Sequence, residues 1–216
     1  MTGRPQAKFR SSSTPTESDS ADTASGAIAV GYARACVMAA VSGGPEPKPP
    51  EGGCFAENRG VFVTLSEYPS GYLRGCIGFP YPYMPLSKAI AEAAQAACHD
   101  PRFPALSAEE AKSVTVEVTV LTVPEAIEAD SPDGIMAAVR IGVDGLMLDL
   151  MGYRGLFLPQ VPTEQGWDVR QYLDHLSYKA GLPAGSWKDP DARISRFQGE
   201  IFSEKTPFGP AERRDP

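Results

Sequence analysis

The sequence predicts an α+β domain built by internal duplication, because an order of strands, helix and strand occurs twice along the chain. Three observations support this fold class. Strand-like runs alternate apolar and polar residues, helix-like runs repeat apolar residues at helical spacing, and proline- or glycine-rich segments separate them. The chain has 216 residues, 42% of them hydrophobic, which is enough to bury the core of one domain. We therefore predict a single domain over residues 26–205, a disordered tail over 1–25 and a flexible tail over 206–216.

The first repeat opens with a helix and a hairpin. Apolar residues at helical spacing predict an amphipathic helix from about Ala27 to Val41. A cluster of prolines then predicts a surface loop over residues 43–53. Strand-like runs at 60–65 and 72–79 flank the turn-forming segment Pro69-Ser70-Gly71, a pattern typical of a β-hairpin.

A second helix and a third strand complete this repeat. A proline in the first turn and an apolar face predict a helix from about Leu86 to Cys98. Residues 107–110, Ser-Ala-Glu-Glu, form a capping-box pattern that starts a short helix. Residues 114–121 alternate as a strand, with valines on one face and Glu117 between two threonines on the other.

The second repeat begins with another hairpin signal. Asp144-Gly145 predicts a tight turn at the end of a strand over residues 139–143. Asp168 is a predicted N-cap of a helix that ends at Gly181. Further strands of this repeat are predicted at residues 146–150, 155–161 and 194–202.

Composition excludes several classes of function. The net charge of −7 lies in the folded part, because the charges of the first 25 residues cancel, and an acidic domain does not favour phosphate backbones. Nucleic acid is therefore an unfavoured partner. The four cysteines contain no C-x-x-C pair, so no zinc site is predicted. We expect a cytoplasmic protein that does not enter a membrane, since no signal segment precedes the fold and the apolar runs are too short to span a bilayer.

The segment Leu73-Arg74-Gly75-Cys76-Ile77-Gly78 is the strongest candidate for a site, because it places a cation, a thiol and two glycines within a strand. If this strand is unbroken, Arg74 and Cys76 share one face while Leu73 and Ile77 face the core. A guanidinium beside a thiol favours the nucleophilic thiolate, and the glycines leave room for a ligand against the backbone. The structural alternative is a buried Cys76 and an Arg74 that anchors a carboxylate such as Glu117.

Glu117 is the candidate acid or base for Cys76, because a carboxylate within a valine-rich strand must face a partner or a cavity. His99 and His175 are not brought beside Cys76 by their spacing, which disfavours simple Cys-His catalysis. Arg102 lies between two prolines that stiffen its backbone, and this orients its guanidinium for an anionic ligand or for a structural ion pair.

The six-residue segment and other segments in the same order resemble the AMMECR domain family over about residues 27–205. The matching segments include Gly60-Val61-Phe62-Val63-Thr64-Leu65, Asp100-Pro101-Arg102-Phe103-Pro104, Arg154-Gly155-Leu156-Phe157-Leu158-Pro159 and Lys179-Ala180-Gly181-Leu182. The resemblance implies two related repeats that share one curved, barrel-like sheet, with a larger and a smaller lobe and a cleft between them. It implies a functional six-residue motif, without a settled reaction or cofactor.

The leading hypothesis is a small-molecule or peptide ligand bound in this inter-lobe cleft. Tyr153-Arg154-Gly155 echoes Leu73-Arg74-Gly75 in the second repeat. The candidate catalytic residues are Cys76 and Glu117, and the candidate ligand-binding residues are Arg74, Gly75, Gly78, Arg102 and Arg154. The alternatives are an enzyme with Cys76 as nucleophile or redox thiol and Glu117 as acid or base, and a module for protein interaction or nucleic-acid binding.

The resemblance has two further implications. In some microbial proteins this domain is associated with a Memo-like domain and a radical S-adenosylmethionine protein, which would be separate partners of this chain. Relatives often carry a cysteine in the helix that follows the tryptophan, where this chain has Ser177, so chemistry that needs a second cysteine there is not expected.

Overall fold

Two antiparallel sheets, each covered by helices, form the fold in the computed structural model, which describes the backbone of residues 17–214 and side chains from Ala24 onward. The helices are α1 (Glu17–Ser42), α2 (Leu86–Ala97), α3 (Pro132–Ala138), α4 (Gln160–Gln165) and α5 (Val169–Lys179). The strands are β1 (Val61–Glu67), β2 (Leu73–Phe79), β3 (Val114–Leu121), β4 (Glu125–Ala126), β5 (Gly145–Leu150), β6 (Tyr153–Phe157), β7 (Arg193–Phe197), β8 (Gly199–Glu204) and β9 (Ala211–Arg214). The predicted α+β class is confirmed.

The two sheets define two lobes. The larger lobe holds a five-stranded sheet in the order β2-β1-β3-β8-β9, with α1 and α2 on one face. The smaller lobe holds a four-stranded sheet in the order β4-β7-β5-β6, with α5 against β5 and β6. Each lobe has its own cluster of buried apolar side chains. In the larger lobe these side chains come from one face of each strand, as the alternation of residues 114–121 predicts.

Helix α1 is a core helix of the larger lobe. By length and composition its Ala24–Ser42 stretch could cross a membrane, contrary to the prediction that the apolar runs are too short. Val30, Ala33 and Val37 are nevertheless buried against the larger sheet and α2. The apolar composition of α1 therefore serves packing within this fold.

The ends of the domain differ from the predicted tails. Helix α1 begins at Glu17 rather than near Ala27, while residues 1–16 and 215–216 lie outside the described residues. Residues 17–25 lack the apolar periodicity on which the prediction relied, but a helix propagates readily from a packed segment. Residues 211–214 form β9 on the edge of the larger sheet. This strand is mostly charged, as edge strands often are, so its pattern does not signal a strand.

The strands form two sheets instead of the one curved, barrel-like sheet expected. The chain crosses between the sheets at two adjacent points, where the Thr122 amide donates to the Gln198 carbonyl at 2.9 Å. The Gln198 amide donates back to the Thr122 hydroxyl at 2.9 Å. Pro124 follows on one crossing strand and has no N–H to continue the ladder, which separates β3 from β4. The same crossing divides the single strand predicted over 194–202 into β7 and β8.

The hairpin predicted at Asp144-Gly145 is wrong. Residues 139–143 are not a strand, and Asp144 is a fully buried carboxylate that accepts bonds from the Arg140 side chain at 2.7 and 3.1 Å. The hairpin of this lobe joins β5 to β6 through Met151 and Gly152, both with positive φ, as a tight two-residue turn requires. The strand predicted over 155–161 ends at Phe157, before α4.

A glycine in each lobe lets a strand approach the end of a helix. A Cβ on Gly75 of β2 would lie 2.3 Å from the carbonyl oxygen of Ala97, at the end of α2. A Cβ on Gly155 of β6 would lie 2.7 Å from the amide nitrogen of Ala180, just after α5. Each position therefore excludes a side chain because a helix end occupies the space.

We expect Gly75→Ala to destabilise the fold by about 1–3 kcal/mol, because a rigid backbone carbonyl blocks the added methyl group. Urea denaturation gives the free energy of unfolding. The matched control is Gly31→Ala, an exposed α1 position where a Cβ would meet no atom within 4 Å. That change should stabilise the helix by up to about 1 kcal/mol, and equal effects of the two substitutions would contradict the packing argument.

Candidate functional site

A cavity of about 290 Å³ lies between the lobes. One wall is the face of the larger sheet that the helices leave uncovered. The other wall comes from the loop before β5 and the segment after β6 in the smaller lobe. Its lining residues are Phe62, Thr64, Cys76, Glu117, Thr119, Leu121, Gly142, Val143, Leu158, Pro159, Gln160, Gln198, Gly199 and Ile201.

Cys76, Thr64 and Glu117 form a row across three neighbouring strands on the wall of this cavity. Thr64 of β1 is paired with Cys76 on one side and with Glu117 on the other. The Thr64 hydroxyl donates to the Cys76 Sγ at 3.3 Å. Backbones two strands apart are separated by about 10 Å, so Cys76 and Glu117 are too far apart for direct proton transfer.

Arg74 does not share the face of Cys76. Leu65 pairs with Gly75 while Ser66 pairs with Leu73, so Arg74 is the extra residue of a bulge. This bulge breaks the alternation on which the prediction depended, and it leaves Leu73 exposed and Arg74 buried. The expectation that Arg74 and Cys76 face one way is therefore wrong.

The guanidinium of Arg74 serves a structural contact. It donates to the Glu110 carboxylate at 3.2 and 3.3 Å, and it lies 5.9 Å from the centre of the Phe103 ring. Glu110 and Ser107 form the reciprocal bonds of the capping box that the sequence predicts. Arg74 therefore anchors a carboxylate, as the structural alternative predicts, but that carboxylate belongs to Glu110 and not to Glu117.

Asp100 and Arg102 hold the backbone of Cys76. The Cys76 amide donates to Asp100 Oδ2 at 2.9 Å, and its carbonyl accepts from the Arg102 guanidinium at 3.2 Å. Both groups point outward because β2 is an edge strand. The amide and carbonyl of Cys76 therefore form no ladder bonds with Thr64. The two residues are a non-hydrogen-bonded pair of the antiparallel ladder, and the side chains of such a pair lie close together. This clamp directs the thiol into the cavity.

The carboxylate of Asp100 is buried and fully engaged. It accepts from the Arg102 side chain at 2.6 and 3.0 Å and from the Arg102 amide at 3.0 Å. These bonds, above all those from the Arg102 guanidinium, hold the pKa of Asp100 well below its usual range. Arg102 therefore makes the structural ion pair that the sequence left as one of two alternatives.

The two glycines of the motif pack against other residues of the chain. Gly75 faces the end of α2, whereas Gly78 lies beneath the Phe62 ring, where an added Cβ would approach Phe62 to 2.3 Å. Gly78 thus makes room for a side chain that lines the cavity.

Glu117 is the charged group of the cavity. Burial raises the pKa of its carboxyl, and the Arg214 guanidinium on β9, 3.7 Å away, partly offsets this. Within residues 24–214, no N–H or O–H donates a hydrogen bond to the Glu117 carboxylate.

Arg154 lies outside the cavity, at another contact between the lobes. Its guanidinium donates to Asp149 at 2.7 Å and to the Tyr83 hydroxyl of the larger lobe at 3.0 Å. The histidines also lie outside the cavity lining: His99 is exposed after α2, and His175 stacks on Trp167 with 4.0 Å between ring centres. In the part of the chain that the structure describes, no three metal-ligating side chains come together.

A comparison with known families covers the segments that carry the resemblance. The AMMECR1 family model matches residues 30–202, which include the row, the clamp, the smaller lobe and most of the larger lobe. The chain belongs to the AMMECR1 family. This confirms the resemblance seen in the six-residue segment, with nearly the same limits.

AMMECR1 relatives share both sequence and fold with the chain. The protein MJ0810 of Methanocaldococcus jannaschii is 48% identical over 185 residues, which cover 85% of this chain and 92% of that protein. A protein of Methanothermobacter thermautotrophicus is 50% identical over 151 residues, 69% of this chain and 78% of that protein. The crystal structure of the uncharacterized protein PH0010 from Pyrococcus horikoshii matches with 42% identity and a TM-score of 0.73, covering 90% of this chain and 98% of that one. These names identify a family and its fold without a reaction.

Some residues of this AMMECR1 site were missed by sequence reasoning. Thr64 alternates with buried apolar residues on β1. This alternation indicates that its side chain lies on the face of the sheet opposite the core, where Glu117 also lies. Asp100 lies in one of the family segments, but a short polar residue before proline is common in turns and does not by itself indicate a clamp. Gln198 and Arg214 gave no signal, because their positions depend on the crossing and on the edge strand.

The Asp100→Asn variant of this AMMECR1 chain should lose about 1–3 kcal/mol of stability at neutral pH, because it weakens the buried clamp. The folded-state pKa of Asp100 is lowered, so its ionised form stabilises the fold above the unfolded value of about 4. The difference between wild type and variant should therefore shrink as the pH falls below about 4. Urea denaturation at several pH values measures it.

The same variant should speed amide hydrogen exchange at Cys76, whose N–H donates to Asp100. The control is Asp130→Asn, since Asp130 is exposed and, within residues 24–214, makes no salt bridge or side-chain hydrogen bond. Unchanged exchange at Cys76 together with unchanged stability would show that the clamp does not hold the strand.

Proposed function

We propose that this AMMECR1 domain binds a small, mostly apolar ligand in the cavity between its lobes and exposes the ligand to the Cys76 thiol. One observation carries the proposal. The clamp from Asp100 and Arg102 holds the backbone of Cys76 from outside the sheet and leaves its side chain on the cavity wall. A preorganised polar group in a concave apolar site is the usual arrangement for ligand recognition.

The character of the cavity supports a small ligand. Its volume of about 290 Å³ is at the lower end of the range for small-molecule sites. Apolar side chains from both lobes line it, including Phe62, Ile201 and Leu158. Burial of an apolar ligand against these walls would contribute roughly 25 cal/mol for each Å² of surface removed from water.

A second candidate is an enzyme that uses Cys76 as nucleophile or redox thiol. The hydrogen bond from Thr64 to Cys76 favours it, because a donor to sulfur stabilises the thiolate. Glu117 lies one strand beyond Thr64, so it would act as acid or base through Thr64 or on the ligand itself.

We also infer a cytoplasmic location and an origin by duplication. The four cysteines are free thiols, which is typical of a reducing compartment. The matching contacts of Gly75 with the end of α2 and of Gly155 with the end of α5 support two related repeats.

The cavity can be closed by Ile201→Trp, since Ile201 on β8 lines it. We expect this variant to lose any metabolite that the wild type retains from cell extract, measured by native mass spectrometry. Alkylation of Cys76 by a small reagent should slow about tenfold, because the indole blocks access to the thiol. The control is Val123→Trp at an exposed position outside the cavity lining.

Two outcomes would count against ligand binding in the cavity. One is a wild-type Cys76 that alkylates as slowly as the buried Cys36 and Cys98. The other is equal retention of the same metabolites by the wild type and by Ile201→Trp.

Thr64→Val should lower the alkylation rate of Cys76 about fivefold, because it removes a hydrogen bond worth about 1 kcal/mol. The matched control is Thr119→Val, a cavity-lining threonine on β3 that makes no bond to Cys76. Rates are measured by mass spectrometry across a pH series. Equal rates for the two variants would remove Thr64 as an activator of the thiol and with it the second candidate function.

A further inference from the structure

Glu117 is the one charged side chain that lines the inter-lobe cavity within the described residues. The rest of the lining is apolar or uncharged. The uncharged polar side chains are Thr64, Cys76, Thr119, Gln160 and Gln198. A ligand that fills the cavity therefore meets a negative charge, and no lysine or arginine of the described residues balances that charge from the cavity wall.

Among the residues that the structure describes, none donates a hydrogen bond to the carboxylate of Glu117, whose side chain is 27% exposed. Arg214 lies 3.7 Å away, beyond the 2.7–2.9 Å typical of a charge-assisted hydrogen bond. The Arg214 side chain is also 59% exposed, so water screens its interaction with the carboxylate. By contrast, the buried carboxylates of Asp100 and Asp144 each accept two bonds from an arginine side chain. Glu117 thus keeps its capacity to accept hydrogen bonds on the side of the cavity.

The charge of the cavity separates three classes of ligand. An anionic ligand would place a second negative charge beside the Glu117 carboxylate, which is unfavourable. A neutral donor can bond to the carboxylate but does not compensate its charge. An ammonium group does both, and its bond to a carboxylate is about twice as strong as a bond between neutral groups.

We propose that the cavity selects small organic cations, namely compounds with a primary ammonium group on an apolar body. The ammonium donates to Glu117, and the apolar body packs against Phe62, Ile201 and Leu158. Cys76 lies two strands from Glu117 on the wall of the same cavity. This inference rests on the proposed ligand binding in the same cavity and names the class of ligand.

Arg214 competes with the ligand in this arrangement. It pairs with Glu117 at 3.7 Å, and it sits on the edge strand β9. Its removal should strengthen the binding of an ammonium ligand, because one positive charge beside the ligand is lost and the carboxylate is freed. The neighbouring Arg213 is a matched control, since it carries the same charge but pairs with Glu200 at 3.4 Å.

The test uses three probes of similar size and shape. They are 2-phenylethylamine, which is a cation at neutral pH, 2-phenylethanol, which is neutral, and 3-phenylpropionate, which is an anion. Affinities for the full chain are measured by isothermal titration calorimetry at low ionic strength and millimolar probe. We expect the amine to bind about tenfold more tightly than the alcohol, a difference of about 1.4 kcal/mol, and the carboxylate to bind weakest.

Variants assign the selectivity to the carboxylate. Glu117→Gln keeps the volume of the side chain and should remove the preference for the amine over the alcohol. Arg214→Gln should raise the affinity for the amine severalfold, and Arg213→Gln should leave it unchanged. Circular dichroism and thermal unfolding confirm that each variant is folded.

The outcomes separate this inference from the proposed function. If the wild type binds the amine and the alcohol equally and Ile201→Trp abolishes both, the cavity is a ligand site without selection for cations. If the carboxylate binds best, or if Glu117→Gln keeps the preference for the amine, the inference is overturned. If no probe binds at millimolar concentration, the inference is also overturned. The proposed function is then decided separately, by whether the wild type retains metabolites that Ile201→Trp does not.

Discussion

Asp100 holds the edge of the larger sheet through the bond from the Cys76 amide to its carboxylate, and Arg102 completes the contact at the Cys76 carbonyl. An edge strand would otherwise leave these backbone groups to water or to another chain. Because both groups are bound from outside, the backbone of Cys76 is held in place and its side chain starts on the cavity side of the sheet. The candidate site depends on this constraint, since it places Cys76 at one end of the row that runs through Thr64 to Glu117.

The cavity itself arises where the chain passes from one sheet to the other. The paired bonds between Thr122 and Gln198 join the two lobes, while Pro124 prevents one continuous ladder. The uncovered face of the larger sheet then meets the segment after β6 across the gap. A single closed sheet would have buried this face in a barrel core. Two sheets leave it as the wall of a pocket.

The distribution of charge supports the proposed binding of a ligand more than catalysis by the side chains of the cavity alone. Most cations of the candidate motifs are engaged elsewhere: Arg74 with Glu110, Arg102 with Asp100 and Arg154 with Asp149. Neither histidine lines the cavity. Within the described residues, what remains in the cavity is a thiol that accepts one hydrogen bond and a carboxylate that accepts none. Such a site has the polarity to bind and orient a ligand, and any proton transfer would need the ligand or Thr64 as an intermediary.

The sequence by itself determined the α+β class, the family, the alternation of residues 114–121 that places Glu117 opposite the buried valines, the capping box at Ser107 and the N-cap at Asp168. These features depend on local periodicity and on bonds within a few residues. Only the tertiary structure decided the partner of Arg74, the clamp on Cys76 and the division into two sheets. The bulge at Arg74 shows the reason. One extra residue in a strand reverses the faces of its neighbours, and its position is set by the pairing with β1, which the alternation within β2 does not show.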